Sequence, residues 1–263
     1  MESDPRTERK PDESAPEEKA TQGGETTKLV RVLRSITINP TRGTYVDGRV
    51  VKFQYYNAFN YSLLSSAHED LNLVLGITSP SKGEGKTLVA CNLAVSLAMG
   101  SQSKTVLVDL NVQNPQIHRI FGVSPTPGLL EGLREGNLFI SQTAIDYLSV
   151  LTAGLPDAFP VGLDEDSQTQ QGTRTGVRGA FLGLEQLTAF RDILYTLQQE
   201  YQFIVVDMPA ISTQGVPVLF ANQLNGLLVV VDTTRTRRED IDAMFRSINK
   251  NQVLGFVYNH YKE

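Results

Sequence analysis

The stretch LVLGITSPSKGEGKT, residues 73–87, decides the fold. It opens as an apolar run of strand length, LVLGI (73–77), and passes through a glycine-bearing loop, SPSKGEGKT (79–87). It then enters a helical stretch, TLVACNLAVSLAM. A standard phosphate-binding loop reads G-x-x-x-x-G-K-[ST], and its first glycine would fall at Pro80. The rest of the motif suits a nucleotide. Gly83 and Gly85 let the backbone approach phosphate oxygens, and a helix starting at about Lys86 adds free N–H groups and a positive dipole end. Lys86 is expected to reach the terminal phosphates, and Thr87 to place its hydroxyl on Mg²⁺. The bland alternative is a surface turn that reads GEGKT by chance. The strand–loop–helix context argues against it.

Working outward, apolar runs of strand length recur at TVLVDL (105–110), LSVLTA (148–153), FIVVD (203–207), GLLVVV (226–231) and LGFVYN (254–259). Helical stretches, LEQLTAFRDILYTLQQEY and REDIDAMFRSINK among them, lie between some of these runs. Continuous apolar runs suit strands covered on both faces. Their alternation with helices predicts an α/β, doubly wound, mostly parallel sheet of the P-loop NTPase type. Asp109 ends TVLVDL and Asp207 ends FIVVD. Both therefore fall on the edge where open α/β sheets bind ligands. Each could be a helix cap or turn residue. Beside the loop, both are expected in the Mg²⁺ shell, directly or through water. The single phosphate loop predicts one nucleotide site per chain.

Composition sets the limits. The chain has 263 residues, 40% of them hydrophobic, and a net charge of -5, so a sizeable core is available and no general case for nucleic-acid binding arises. One cysteine, Cys91, excludes an internal disulfide, and with His68, His118 and His260 it forms no recognisable metal-ligand spacing. Residues 1–28 are rich in Glu, Lys, Pro, Thr and Asp and are expected to be a disordered acidic tail without a secretory h-region. Residues 29–70 form a linker with an N-terminal strand or helix segment: LVRVLRSITI is a short strand or edge segment, and Ala58, Phe59, Leu63 and Leu64 have helical spacing. Residues 71–263 are the nucleotide-binding domain, interrupted at about 155–180 by a polar, Gly/Thr/Gln-rich segment that is functional or disordered. No apolar run approaches the ~18 residues of a spanning helix, which points to a cytoplasmic protein that reaches a membrane only through a partner.

Taken in order, these residues resemble the bacterial tyrosine kinase family of capsule and exopolysaccharide synthesis, within the ParA/MinD-like P-loop ATPases. The family's loop resembles S-x-x-P-G-E-G-K-[ST], without a leading glycine, and SPSKGEGKT is similar to it. The wider group often carries a signature lysine five positions before the loop lysine. Here that position is Ser81, with Lys82 beside it, which resembles the kinase branch. VLVDLNVQNPQIHRIFG (106–122) resembles the family's next motif and aligns Asp109, Pro115, His118 and Phe121, with PGLLEGLREG following. The resemblance runs from about residue 55 to 261. It implies ATP and Mg²⁺ as cofactors, bound by Ser81, Lys82, Gly83, Glu84, Gly85, Lys86, Thr87 and Leu88, with Asn259 near the adenine. It implies Lys86, Asp109 and Asp207 as catalytic groups, and Thr87, Asp109 and Asp207 as the metal set. It also implies a membrane-embedded polysaccharide co-polymerase as partner, at the inner face of the membrane, and homo-oligomers.

Departures from the pattern bear on activity. The family's second acid is Asn111 here, which keeps hydrogen bonding but loses the charge, and its following basic residue is Gln113. A charged helix pattern associated with ring assembly becomes Asn57, Asn60 and Leu63, and the C-terminal tyrosine cluster is reduced to YNHYKE. Tyr258 falls in a strand, so Tyr261 is the better exposed phosphoacceptor candidate. Three functions therefore stay open: a tyrosine kinase, a nucleotide-dependent switch, and a non-catalytic nucleotide-binding scaffold. His118 is expected to make a structural hydrogen bond and Cys91 to lie in the core. Tyr55, Tyr56 and Tyr61 are expected in helix packing or an interface. Arg235, Arg237 and Arg238 form either a solvated surface or a partner contact.

Overall fold

The computed structural model describes residues 72–155, 184–211 and 216–259, together with the backbone of 31–36. The expected acidic tail, the 58–64 helical pattern with Tyr55, Tyr56 and Tyr61, Asn57, Asn60 and Leu63, most of the 155–180 segment, and Tyr261 lie outside the described residues.

In chain order the elements are β1 (Arg31–Ile36), β2 (Leu73–Thr78), α1 (Lys86–Ser101), β3 (Thr105–Asp109), α2 (Ile117–Phe121), α3 (Leu129–Glu135) and β4 (Asn137–Gln142). β5 (Leu148–Leu151), α4 (Glu185–Gln198), β6 (Phe203–Asp207), α5 (Val216–Ala221), β7 (Gly226–Asp232), α6 (Arg238–Ser247) and β8 (Val253–Asn259) follow. The described strands form one eight-stranded sheet in the order β1-β4-β5-β3-β6-β2-β7-β8. Every neighbouring pair is parallel except β4 with β5, which run antiparallel through Ser141 opposite Val150. This is the doubly wound, mostly parallel architecture that the recurring apolar runs predict.

The core follows from the period of two along each strand. On β2, Val74 faces one layer while Leu75 and Ile77 face the other; on β6, Ile204 and Val206 oppose Phe203 and Val205. The first layer holds α4, α5 and α6 through Phe190, Leu194, Phe220 and Met244. The second holds α1 and α2 through Leu93, Leu97, Ile117 and Phe121. α1 is buried from Val89 to Ala98 without a break. Its small residues, Ala90, Cys91, Ala94 and Ala98, let the helix lie close to the sheet. Cys91 is fully buried there, as expected of a core residue.

Two strands depart from the sequence expectation. β4 was not legible as a strand, because it alternates: Leu138 and Ile140 are buried between more open neighbours. Alternation marks a strand with one covered face, whereas continuous runs mark the centre of a parallel sheet. β8 does read as a continuous run, yet its exposure alternates, since it has β7 on one side and no described strand on the other. Leu254, Phe256 and Tyr258 are consequently exposed. Tyr258 is 63% exposed, so its place in a strand at the sheet edge does not bury it, while Tyr261 lies outside the described residues.

Candidate nucleotide-binding site

The chain leaves β2, runs through the glycine loop and enters α1 in the middle of the sheet, with β6 on one side and β7 on the other. The loop is built from its own bonds. Ser79 Oγ donates to the Ser81 carbonyl at 2.6 Å, closing a turn around the buried Pro80. The Ile211 N–H donates to the Ser79 carbonyl at 3.0 Å, and Thr78 Oγ1 to the Pro209 carbonyl at 2.9 Å. The loop's entrance is thus pinned to the chain after β6, and a proline serves where other loops place glycine.

The exit of the loop needs glycine. Gly83 has φ 82° and Gly85 φ 88°, both in the left-handed region that favours glycine. Gly85 is the N-cap of α1 and brings no side-chain cap, so the first turn's N–H groups are left to an anion. A Cβ at Gly85 would lie 2.3 Å from Asn259 Nδ2, and that amide donates to the Glu84 carbonyl at 3.0 Å. Asn259, at the end of β8, is therefore a brace for the loop. Gly85→Ala forces a left-handed alanine, costing about 1–2 kcal/mol, and displaces that brace. ATP-Mg²⁺ affinity measured by calorimetry is expected to fall at least about tenfold, a change of about 1.4 kcal/mol.

Lys86 and Thr87 open α1. Thr87 Oγ1 donates to Asp207 Oδ2 at 2.7 Å, which joins the loop to the end of β6. Asp207 and Asp109 are fully buried and stand opposite each other on neighbouring strands. Burial pushes both carboxyls above the usual range. Asp109 is raised further by the charge of Asp207, against three backbone bonds that lower it. Asp207 is partly relieved by the Thr87 hydroxyl and by Lys86. Lys86 is itself buried, which lowers its pKa, while Asp207, Glu84 and Asp109 raise it. Leu88, in the same turn, carries an exposed side chain, and Lys82 is exposed on the loop.

Asp109 combines two of the roles that its position suggests. Its Oδ1 accepts from the Asn111 N–H (3.1 Å), and its Oδ2 accepts from the Gln116 and Ile117 N–H groups (3.2 and 3.3 Å) at the start of α2. It caps α2 while standing opposite Asp207 at the strand ends. Asp207 differs: its Oδ1 is buried and has no hydrogen-bond partner among the described residues. A buried, unpartnered carboxylate oxygen beside a threonine hydroxyl is a hard-oxygen donor set that fits Mg²⁺. Among the described residues no three His, Cys, Asp or Glu side chains cluster to hold a metal alone. Mg²⁺ usually keeps waters and substrate phosphates in its shell, so one or two protein oxygens suffice.

These raised carboxyls make a pH prediction. Above the usual carboxyl pKa of ~3.9, the folded protein holds protons that the unfolded chain has released, so stability falls as pH rises toward neutrality. His118, whose pKa is lowered by burial and by Arg119, works in the opposite sense near its own titration. Asp207→Asn removes the charge that raises Asp109. The nucleotide-free melting temperature should then change less between about pH 5 and about pH 8, with the gain at the higher pH.

Several site features escape sequence inspection. Glu84 is buried, and its Oε1 accepts from Thr236 Oγ1 at 2.5 Å while its Oε2 accepts from the Ser81 N–H at 3.3 Å. Thr236 lies in the turn after β7, where Asp232 Oδ1 accepts from the Thr234 N–H (2.9 Å) and hydroxyl (2.7 Å). The string DTTRT after a buried strand carries the signature of such a turn. Its bond to the phosphate loop, 152 residues away, has no local signal. His118 does not make the expected side-chain hydrogen bond among the described residues; its carbonyl instead accepts from the Val123 N–H at 3.0 Å. The Arg237 N–H donates to Asp240 Oδ2 at 3.3 Å, so the acids after the basic loop cap α6.

No protein-family profile matches the chain. It is 24% identical over 216 residues to the tyrosine-protein kinase CpsD of Streptococcus agalactiae serotype III, covering 80% of this chain and 83% of that one. In structure it is similar to the kinase domain of the Escherichia coli tyrosine kinase ETK, with a TM-score of 0.65, 20% identity, and coverage of 83% and 79%. It also shares its fold with a cobyrinic acid a,c-diamide synthase from Mycobacterium smegmatis, solved with bound ADP and magnesium, at a TM-score of 0.54 and 18% identity over 73% and 76% of the chains. The fold, the order of motifs along the chain and these likenesses agree: the chain is similar to bacterial tyrosine-protein kinases.

Proposed function

We propose that the chain binds ATP-Mg²⁺ and transfers the terminal phosphoryl group to a tyrosine hydroxyl. The observation that carries this reading is the Thr87–Asp207 bond beside the unpartnered Asp207 Oδ1, set against an uncapped helix start behind a glycine loop. The α1 N–H groups and Lys86 hold the phosphates. Thr87 and Asp207, with Asp109 beside them, would hold the cation, which would supply positive charge to the phosphates. The bond from the γ-phosphorus to its bridging oxygen breaks, and a bond to the tyrosine oxygen forms. Asp109, whose proton affinity is raised, positions that hydroxyl or takes its proton. Tyr261 is the acceptor named from the sequence; Tyr258, exposed at the sheet edge, is a second. The setting that fits is polysaccharide chain-length control or export, at the inner face of the membrane, with a membrane-embedded co-polymerase and in homo-oligomers. The neutral Asn111 at the site favours a second reading, a nucleotide-binding scaffold with weakened catalysis.

Purified chain incubated with radiolabelled ATP-Mg²⁺, alone and with its membrane partner, separates these. Label on tyrosine supports the kinase. ATP binding without label in either condition supports the scaffold, and nucleotide-driven dimerisation with hydrolysis but no phosphotyrosine supports a switch.

A further inference from the structure

The turn after β7 belongs to the nucleotide site. Its backbone is fixed: the Arg235 and Thr236 N–H groups donate to the Asp232 carbonyl (3.1 and 2.9 Å), and the Asp232 N–H donates to Thr236 Oγ1 at 3.0 Å. The Thr236 hydroxyl then donates to Glu84 inside the phosphate loop. This clasp sets Arg235 beside Gly83. A Cβ built on Gly83 would lie 3.7 Å from Arg235 Nη1 and 3.9 Å from Nη2, so the guanidinium stands over the side of the loop that its left-handed glycine leaves open. Arg235 is exposed, and among the described residues its guanidinium makes no hydrogen bond or ion pair. An arginine on an open surface is ordinarily a solvated charge. This one stands on a bonded turn against a loop shaped for phosphate, with its fork of donors unused.

We propose that Arg235 is a polyphosphate contact of the nucleotide site and that Thr236 is the positioning residue that holds it there. A guanidinium offers two parallel donors to phosphate oxygens, which a lysine ammonium cannot reproduce. This inference rests on the nucleotide reading above.

The test is calorimetric titration of the full chain with ATP-Mg²⁺ at several salt concentrations. Arg235→Ala is expected to weaken ATP about 10- to 100-fold, the range for a charge-assisted hydrogen bond, and to flatten the salt dependence of binding. Arg235→Lys should fall between the two. Thr236→Val should weaken ATP in the same direction and less than additively with Arg235→Ala, because both act on one contact. Thr236→Ser should restore affinity. Unchanged ATP affinity and salt dependence in Arg235→Ala would overturn the contact. A Thr236→Val that loses melting temperature but not ATP affinity would overturn the positioning role. Wild-type chain that binds no ATP would overturn the nucleotide reading and this inference together.

Discussion

Lys86→Met is expected to lower phosphotyrosine formation by about 10²–10³-fold, the loss seen when one preorganised donor to developing charge is removed. The magnitude follows from where the ammonium sits. Lys86 is only 7% exposed, at the first turn of α1, and burial works against its charge. Asp207, Glu84 and Asp109 oppose that effect by favouring its charge. A cation kept out of water by its surroundings acts on phosphate charge in a poorly screened space, so its removal costs far more than that of a surface lysine. Methionine preserves the unbranched stem and its packing, so the fold should survive. The melting temperature is expected to stay within about 5 °C of wild type, the equivalent of about 1–2 kcal/mol for a chain of this size. The loss should appear in single-turnover transfer of label from ATP, with circular dichroism as the control for folding. Equal label in both proteins would remove Lys86 from the chemistry.

What the sequence could not convey lies mostly in contacts between distant segments. Strands β2, β3, β6 and β7 are legible because each is buried on both faces and reads as an unbroken apolar run ending in Thr78, Asp109, Asp207 and Asp232. The loop is legible because its glycines, Lys86 and Thr87 are chain neighbours. β4 is not, since one covered face leaves only an alternation of Leu138 and Ile140. β8 is legible as a strand but not as an edge, and edge position decides the exposure of Tyr258. Glu84 is visible as a loop residue, yet its partner Thr236 arrives from the turn after β7 and answers to no spacing rule. Asp109 shows a similar limit. Its strand end predicts a ligand-edge carboxylate, and only the fold reveals that the same oxygens cap α2. In both cases the sequence names the residue, and the three-dimensional neighbours assign its bonds.

Asn111→Asp should pull stability and activity in opposite directions. Asn111 is 9% exposed just beyond β3, and its N–H donates to Asp109 Oδ1. An aspartate there adds a third carboxylate to a site where Asp109 and Asp207 are already pushed up by burial. Like charges raise one another's proton affinity, so without metal the folded variant holds still more protons than the unfolded chain. Its melting temperature should fall more steeply than wild type as pH rises from about 5 to about 8, and Mg²⁺ with ATP should restore part of the loss by supplying opposite charge. The same carboxylate gives the tyrosine hydroxyl a second acceptor for its proton. General-base groups contribute about 10²–10⁴-fold, and phosphotyrosine formation in the variant is expected to rise toward the low end of that range. Gln113, the other departure in this motif, is exposed, so Gln113→Arg serves as a control expected to change neither quantity. A variant that loses stability at high pH while its rate stays flat would show that the neutral residue at 111 relieves charge crowding without limiting catalysis. The limit would then lie in how acceptor tyrosines reach the end of β6.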